Sequence, residues 1–455
     1  RFTTKGDNNI STGAGDDTIY TGKGTDAVNA GDGDDTIVVR ANSTHNTITG
    51  GKGADKFKFT TDTIPNDAAP MLMMFMSVSP SAAVTVITDA DSRDNIDLPV
   101  AWDDVAFERL TTTISGESAT MDDMVISYNN GMNAVIVKDF FEISKPVDTL
   151  ITTDYTSGRG IKANADITVT LSSADTYEAT SYREIITVAE GVSATVEGLN
   201  KSKDAISLTG GVLTREDDGA LVIKNTTNNT QLTVTDFFDM AMGLKINGTP
   251  TSADTEIAVT LTGALDVSGG YVGTSYSETI SGQGKVSGLT ANDAVTTLGE
   301  TGAKLERTNS GDALTITGSD DKVITVTDFF SNGIDFNVNG TSTLSTPVYV
   351  ALTGGDYTGT KYNEIIEATA AATVHGLGEN DKVKSGALVR TYDGTHNAEL
   401  KVGDYLTVTD FFTTNACHQF DNGSEIALST ITVNASQNYT ALNGYIENIV
   451  AKAES

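Results

Sequence analysis

Apolar residues recur at short intervals through the first 60 residues, between segments rich in glycine and aspartate. The segments are GAGDDTIY from Gly13, GKGTDAVN from Gly22, GDGDDTIV from Gly31 and GGKGADKFK from Gly50, with degenerate copies ending at Ile10 and Ile48. In each of the four segments an apolar residue follows the last Asp by two positions. This pattern predicts tight turns and very short strands whose apolar side chains point into a shared interior.

The same turns carry the oxygen atoms that a metal site needs. Glycine allows backbone angles closed to other residues, so the carbonyl oxygens of a tight turn point inward. The Asp adds a carboxylate, and Ca²⁺ prefers such oxygen ligands. Two segments make one coil, and an ion lies between turns that are two segments apart. The predicted calcium-site residues are Gly13, Gly15, Asp17, Gly22, Gly24, Asp26, Gly31, Gly33, Asp35, Gly50, Gly51, Gly53 and Asp55.

Successive turns alternate between two sides of the coil, and the two sides differ. One side has complete glycine turns and three aspartates, Asp17, Asp35 and Asp55. The other side has Asn8, Asp26 and Asn46. We therefore expect the first side to bind calcium more tightly. A two-residue slip at Val39 and Arg40 leaves the number of ions open.

This pattern resembles that of RTX proteins, the family with calcium-dependent parallel β-rolls, from Thr3 to Phe59. The resemblance implies a parallel β-roll, bound Ca²⁺ and a secreted bacterial protein. A flexible linker rich in Gly and Asp is the alternative, but it does not explain the regularly spaced apolar residues. The next segment, VITDADSRDNIDLP from Val86, looks like the segment that closes RTX rolls.

A longer repeat fills the rest of the chain. AVIVKDFF ends at Phe141, and related segments end at Phe238, Phe330 and Phe412, at intervals of 97, 92 and 82 residues. Alternating apolar and polar residues predict strands, and Asn-Gly pairs predict tight turns. The predicted fold is all-β, with an N-terminal calcium-binding parallel β-roll followed by tandem diverged β-modules that are either roll-like, as in a solenoid, or sandwich-like.

The repeat lengths predict five segments. These are the calcium roll at 1–60, a roll-closing segment with the first module at 61–165, and further modules at 166–256, 257–347 and 348–455. Glu278 and Glu364 occupy the place of the RTX Asp in two modules, but the glycines are absent, so a structural strand-turn is favoured there over calcium. In each Phe-Phe pair we expect one ring to anchor the module core and the other to pack on a neighbour.

The charge of the chain limits the kinds of molecule that it can bind. Sixty-one acidic residues against 29 basic ones give a net charge of -32, which repels nucleic acid and anionic lipid and attracts divalent cations. The single cysteine, Cys417, excludes an intrachain disulfide, as is common in large bacterial exoproteins. A cytosolic protein with a reduced thiol is the alternative. We find no apolar stretch long enough for a transmembrane helix.

The sequence lacks the motifs of the enzymes that often accompany such repeats. Its four histidines are scattered and form no H-E-x-x-H motif, and no G-x-S-x-G motif occurs. The glycine turns carry Asp, where a nucleotide site needs Lys or backbone donors. We therefore expect no catalytic residues and no enzymatic activity.

Three functions fit these observations. The first is a self-assembling extracellular protein at the bacterial cell surface, an S-layer or filament subunit whose partners are copies of itself. The second is a segment of a large RTX adhesin that binds a surface polysaccharide or receptor, and the third is the non-catalytic calcium tail of a secreted exoenzyme. The apolar segment MLMMFM from Met71 is either a buried strand or a contact between copies.

Overall fold

Short strands joined by tight turns make up most of the protein. Strands hold 51% of the residues and helices 4%, which confirms the predicted all-β class. The computed structural model describes residues 6–40, 43–60, 79, 82–142, 151–153, 165–215, 219–262, 270–297, 302–413, 419–442 and 444–451. The chain divides into two compact units, residues 1–212 with 220–251 and residues 213–219 with 252–455. The five-segment division remains a prediction.

Eight strands form the N-terminal roll. They are β1 (Asn8–Ala14), β2 (Thr18–Tyr20), β3 (Thr25–Asp32), β4 (Thr36–Arg40), β5 (His45–Lys52), β6 (Lys56–Thr60), β7 (Ala83–Ile87) and β8 (Asn95–Leu98). The odd-numbered strands pair in order in one sheet and the even-numbered strands in another, and all of these pairs are parallel. The predicted parallel β-roll is therefore confirmed.

The interior of the roll consists of the apolar residues that recur along the sequence. Ile19, Ile37, Phe57 and Ile96 are opposite one another in β2, β4, β6 and β8, and each is 0% exposed. Val28 and Ile48 are similarly buried in the other sheet. Burial of each such side chain stabilises the fold by roughly 1.5–3 kcal/mol, so this row supplies much of the stability of the roll.

The two-residue slip does not disturb the register of the roll. Paired residues in β1 and β3 are 18 positions apart, whereas those in β3 and β5 are 20 apart. Val39 and Arg40 remain in β4, opposite Phe59 and Thr60. The extra residues are therefore accommodated after Arg40 and before His45, and both sides of the roll keep their alignment.

Residues 105–250 continue the architecture with mixed pairing. Their strands are β9 (Val105–Leu110), β10 (Thr112–Ile114), β11 (Glu117–Ala119), β12 (Met124–Tyr128), β13 (Asn133–Val137), β14 (Ile151–Thr153), β15 (Asp166–Leu171), β16 (Thr176–Glu178), β17 (Arg183–Val188), β18 (Ser193–Glu197), β19 (Ala205–Ile206), β20 (Val212–Arg215), β21 (Leu221–Asn225), β22 (Thr230–Val234), β23 (Lys245–Ile246) and β24 (Thr249–Pro250). β13 pairs with β7 and β14 with β8, both in parallel. VITDADSRDNIDLP therefore adds a coil to the roll, and the sheets continue beyond it.

Residues 256–451 repeat the same plan. Their strands are β25 (Glu256–Thr262), β26 (Tyr271–Val272), β27 (Ser277–Ser287), β28 (Ala294–Val295), β29 (Lys304–Thr308), β30 (Leu314–Thr317), β31 (Val323–Val326), β32 (Asn337–Val338), β33 (Thr341–Ser342), β34 (Val348–Leu352), β35 (Gly355–Thr358), β36 (Glu364–Ala368), β37 (Ala372–His375), β38 (Lys382–Val383), β39 (Leu388–Tyr392), β40 (Leu400–Val402), β41 (Leu406–Val408), β42 (Gln419–Phe420), β43 (Thr430–Ala435) and β44 (Ile446–Ala451).

The modules are roll-like. Antiparallel pairs such as β29–β30 and β30–β31 form local hairpins, whereas β34, β36, β38 and β42 follow one another in parallel. Parallel neighbours in chain order are the pattern of a coiled stack, so of the two predicted module types the structure has the solenoid-like one. Short helical turns occur at Trp102–Asp104, Phe140–Glu142, Phe237–Asp239, Phe329–Asn332 and Ile426–Leu428.

Each module contains a buried or partly buried arginine that is linked to a Tyr and a Glu side chain. The Arg Nη1 donates to a Tyr hydroxyl at 2.8 Å, and that hydroxyl donates to a Glu Oε1. In three modules the guanidinium also lies 3.9–4.2 Å from the ring centre of the second Phe of the Phe-Phe pair. We call these groups the arginine clusters: Arg109, Phe141, Tyr177 and Glu184; Arg215, Tyr271 and Glu278; Arg307, Phe330, Tyr357 and Glu364; Arg390, Phe412, Tyr439 and Glu447.

The clusters explain the Phe-Phe pairs. The first ring of each pair is buried, with 1% exposure at Phe140 and Phe237 and 2% at Phe329 and Phe411. The second ring contacts a Tyr from the following repeat, as Phe330 does at 5.7 Å from Tyr362. Both predicted roles are confirmed, and the cation-π contact with Arg is a further role of the second ring.

We predict that loss of one cluster hydroxyl destabilises the second unit. Tyr357→Phe leaves buried Glu364 and Arg307 each short of a hydrogen bond, and the free energy of unfolding should fall by about 1–3 kcal/mol. Tyr405→Phe is the control because Tyr405 is 48% exposed, and it should have little effect. Chemical denaturation measures both variants, and equal losses would contradict a stabilising role for the cluster.

Candidate metal centre

The aspartates on the first side of the roll form a hydrogen-bonded row, which we call the carboxylate ladder. The backbone N–H of Asp17 donates to Oδ1 of Asp35 at 2.7 Å, that of Asp35 to Oδ1 of Asp55 at 2.9 Å, and that of Asp55 to Oδ1 of Asp94 at 2.9 Å. Each turn thus fixes one oxygen of the next carboxylate, and the side chains are held in one line.

Two oxygens of this ladder have no hydrogen-bond partner among the described residues. Asp35 and Asp55 are each 1% exposed, and their Oδ2 atoms accept no hydrogen bond from the part of the chain that the structure describes. A buried anionic oxygen without a partner is strongly unfavourable. A bound cation would remove that cost, so these two atoms are the best candidates for metal-ligand oxygens.

The electrostatics of the two carboxyls agree with this interpretation. Burial raises the pKa of Asp55 to about 6, with further contributions from the nearby carboxylates of Asp94, Asp35 and Asp89. Burial also raises the pKa of Asp35. A divalent cation at this position would stabilise the two anions and lower both pKa values.

The glycine turns leave no space for side chains beside this row. Gly31 has a φ of +109°, and a Cβ there would lie 1.7 Å from the carbonyl oxygen of Gly13. Gly51 has a φ of +102°, and its Cβ would lie 1.8 Å from the carbonyl oxygen of Gly31. The turns therefore stack backbone against backbone, and only glycine fits. Their carbonyls and the ladder carboxylates form an oxygen-rich donor set that suits Ca²⁺.

The comparison with known families agrees with this geometry. The model of the RTX calcium-binding nonapeptide repeat matches residues 2–37 and 38–58, with four copies. The N-terminal segment is an RTX repeat region. RTX nonapeptide repeats bind Ca²⁺ and occur in secreted bacterial proteins. No curated protein matches the chain.

The second side of the RTX roll is built differently. Asp26 has both oxygens occupied: Oδ1 accepts from the backbone and side-chain nitrogens of Asn8, and Oδ2 accepts from the N–H of Gly22. Asn46 is uncharged, and its Oδ1 accepts from the N–H of Asp26 at 3.2 Å. This side offers no buried carboxylate oxygen in need of a partner. The geometry favours the order of affinity that the sequence predicts.

The remaining predicted residues lie in the same turns. Gly15, Gly33 and Gly53 precede the ladder aspartates on the first side, and Gly22 and Gly24 precede Asp26 on the second. The part that each residue has in binding calcium stays a prediction. Within the described ranges, no group of three or more His, Cys, Asp or Glu side chains converges as a metal site. We expect the backbone carbonyls of the glycine turns to supply further calcium ligands.

Two aspartates at the end of the ladder, Asp89 and Asp94, are not among the residues predicted from the sequence. Asp89 accepts hydrogen bonds from the N–H groups of Gly50 and Gly51 at 2.9 and 2.8 Å. Asp94 accepts from Asp55 with one oxygen and from the N–H of Asp91 with the other. The amides of the last glycine turn are thus satisfied by protein oxygens. The three aspartates of VITDADSRDN were the available signal.

The glutamates in the RTX Asp positions of the modules do not need calcium. Glu278 is 1% exposed, and it accepts from the Tyr271 hydroxyl and from the hydroxyl and the N–H of Thr274. Glu364 has the same set of donors from Tyr357 and Thr360. Side chains have replaced the cation at these turns, in agreement with the favoured structural interpretation.

We predict that the two sides of the RTX roll respond unequally to mutation. Asp35→Ala removes a ladder carboxylate with an unpaired oxygen and should weaken calcium binding by at least about tenfold. Asp26→Ala removes a carboxylate already satisfied by Asn8 and Gly22, so the loss of affinity should be smaller. Calorimetric titration of the whole chain with calcium measures both, and equal effects would refute the two-sided register.

The raised pKa of Asp55 predicts opposite pH effects with and without calcium. Without metal, the folded state binds the proton more tightly than the unfolded state, so the roll loses stability as the pH rises from about 4 through about 6. With calcium, the metal binds the carboxylate form, so the stability from calcium is lost as the pH falls through the same range. Protease resistance of the roll within the whole chain measures both trends.

Asp55→Asn is the control for that measurement. Its side chain is neutral throughout the range, so the pH dependence in chelator should become weaker. An unchanged dependence in this variant would show that another group titrates.

Proposed function

We propose that the chain is a calcium-dependent, self-assembling extracellular structural protein, a subunit of an S-layer or of a surface filament. The parallel strand pairing within the units carries this proposal. The RTX roll and the modules use the same parallel pairing between neighbouring coils. A strand at the edge of such a sheet offers the same backbone pairing to another molecule.

The charge of the protein supports a role for calcium in assembly. A net charge of -32 opposes the approach of two copies, most strongly at low ionic strength. Calcium bound at the ladder would order the RTX roll and reduce this repulsion. Assembly should therefore depend on calcium in two ways: calcium folds the roll, and it reduces the negative charge of the surface.

The hydrogen bonds of the buried carboxylates in the modules support a non-catalytic role. RTX repeat regions are typically non-catalytic. In the modules, Glu184, Glu278 and Glu364 are each hydrogen-bonded to a Tyr hydroxyl and to the N–H of a nearby Thr. Carboxylates held in this way stabilise the fold and have no free oxygen for acid-base chemistry on a substrate.

We predict that the purified chain forms ordered arrays or fibres in calcium and that a chelator disperses them. Light scattering and negative-stain electron microscopy measure this. A parent that stays monomeric in calcium at high concentration contradicts the proposal and favours an adhesin segment that binds a surface polysaccharide or receptor. Hydrolytic activity in a longer gene product would instead favour the tail of an exoenzyme.

The contact predicted from the sequence lies at Met71 to Met76, outside the described residues. Replacement of Met73 and Phe75 by Asp within the same experiment tests it. If the parent assembles and this variant assembles equally well, the contact lies elsewhere.

A further inference from the structure

A groove on the sheet surface of the first unit is lined by basic side chains. Its volume of about 430 Å³ lies in the range of small-ligand sites. Ile185 of β17, Ala205 of β19 and Lys245 of β23 are opposite one another on three parallel strands and line the groove. The chain has 29 basic residues in 455, and four of them are in this groove: Arg183, Lys201, Lys203 and Lys245. Such a grouping is unexpected in a protein with a net charge of -32.

Three of these basic side chains are not in ion pairs. Of the two acidic residues in the groove, Asp166 pairs with Arg183 at 2.8 Å. Asp204 is buried, and its two oxygens accept backbone N–H groups. Among the described residues, no carboxylate forms an ion pair with Lys201, Lys203 or Lys245. The groove therefore keeps a positive potential that attracts an anion.

Two of the lysines have hydrogen-bonding protons for a ligand. The Nζ of Lys203 donates to the carbonyl oxygens of Thr180 and Tyr182 at 2.6 and 2.8 Å, which fixes the ammonium group and leaves its third proton. Lys245 is exposed and has no hydrogen bond or ion pair within the part of the chain that the structure describes. A carboxylate or phosphate can accept from either ammonium group, and such charge-assisted hydrogen bonds are strong.

The same strand positions in two other modules lack these charges. β27, β28 and β32 pair in the register of β17, β19 and β23, and so do β36, β38 and β42. The residues equivalent to Arg183, Lys203 and Lys245 are Ser277, Asn292 and Asn337 in one module and Asn363, Asn380 and Gln419 in the other. The strand pairing therefore does not require basic residues here, and their grouping in one module points to a ligand.

The rest of the groove matches a sugar. Ile185 and Ala205 are half-buried and offer apolar contact, and Ser207 and Thr209 carry hydroxyl groups. A sugar ring has an apolar face of C–H groups and hydroxyl groups at its edge, so it can use both kinds of surface. A small inorganic anion would use the basic side chains alone.

We propose that this groove binds an anionic saccharide, whose carboxylate or phosphate group accepts hydrogen bonds from Lys203 and Lys245. The inference goes beyond the proposed function, because such a site would attach the protein to an acidic glycan whether or not copies of the chain assemble. The net charge of -32 repels densely charged polyanions such as nucleic acid. A short sugar with few charges is repelled less and is attracted locally by the groove.

Calorimetric titration of the whole chain in calcium tests the site. The probes are a galacturonate trisaccharide, a neutral galactose trisaccharide, glucose 1-phosphate and inorganic phosphate. We expect the galacturonate or the sugar phosphate to bind, and the one that binds more tightly identifies the anionic group. The neutral trisaccharide should not bind, and the affinity of the anionic sugar should fall as the salt concentration rises. Binding of inorganic phosphate as tight as that of the sugars, or no binding of either anionic sugar, overturns the proposal.

Two substitutions test the lysines. Lys203→Asn and Lys245→Gln introduce the residue types of Asn380 and Gln419 at the equivalent positions, so the fold should be retained. Each should weaken binding of the anionic sugar by about tenfold, because each removes a hydrogen bond from a charged donor. Lys224→Gln is the matched control: Lys224 is exposed and lies outside the groove, and its loss changes the net charge equally. If Lys245→Gln binds like the parent, or if Lys224→Gln loses as much affinity, the proposed site is wrong.

Assembly of the same variants separates this site from contacts between copies. The double variant Lys203→Asn with Lys245→Gln should form arrays or fibres in calcium as the parent does. If the double variant loses assembly and the parent binds none of the sugars, the groove accepts carboxylates of a second copy and the saccharide proposal is overturned. A parent that stays monomeric but binds the anionic sugar refutes self-assembly and supports this inference.

Discussion

The burial of a row of carboxylates is the constraint on which the rest of the structure depends. In the RTX roll each backbone N–H of the row donates to the carboxylate of the next coil, which fixes the register of the coils. The same bond recurs in the modules, from Glu184, Glu278 and Glu364 to an Asp of the next coil. One hydrogen bond per coil aligns the stack, but it leaves the second oxygen of each carboxylate to be satisfied in another way.

The negative charge that remains on these carboxylates is stabilised in two different ways. In the RTX roll the turns are glycine-rich, and the buried Oδ2 atoms of Asp35 and Asp55 need a cation. In the modules the glycines are absent, and Tyr and Thr donors with an Arg 3.8–4.0 Å from the Glu stabilise the carboxylate. We therefore expect the roll to depend on calcium, whereas each cluster Glu of the modules has an Arg nearby.

Features built from residues close together in the sequence could be predicted, whereas features built from distant residues could not. The roll was predictable because its turns, strands and ligands recur within nine or eleven residues, and Asn46 lies opposite Asp26 despite the slip. The arginine clusters could not be predicted, because Arg307 and Tyr357 are 50 positions apart in the sequence and no short pattern connects them. The seven-residue spacing from Tyr357 to Glu364, which recurs from Tyr271 to Glu278, was a signal that could have been found. Cys417, His418 and the segment from Met71 lie outside the described residues.

Hydrogen exchange at peptide resolution, on the whole chain with calcium and with chelator, tests the central claim most directly. The account predicts that chelation removes protection from residues 6–60, where carboxylates without protein partners are buried. Residues 302–413, where buried Glu364 has Arg, Tyr and Thr partners, should keep their protection. Equal protection of residues 6–60 in both conditions would contradict the claim that a cation balances the ladder, and equal loss in both regions would contradict the division between the roll and the modules.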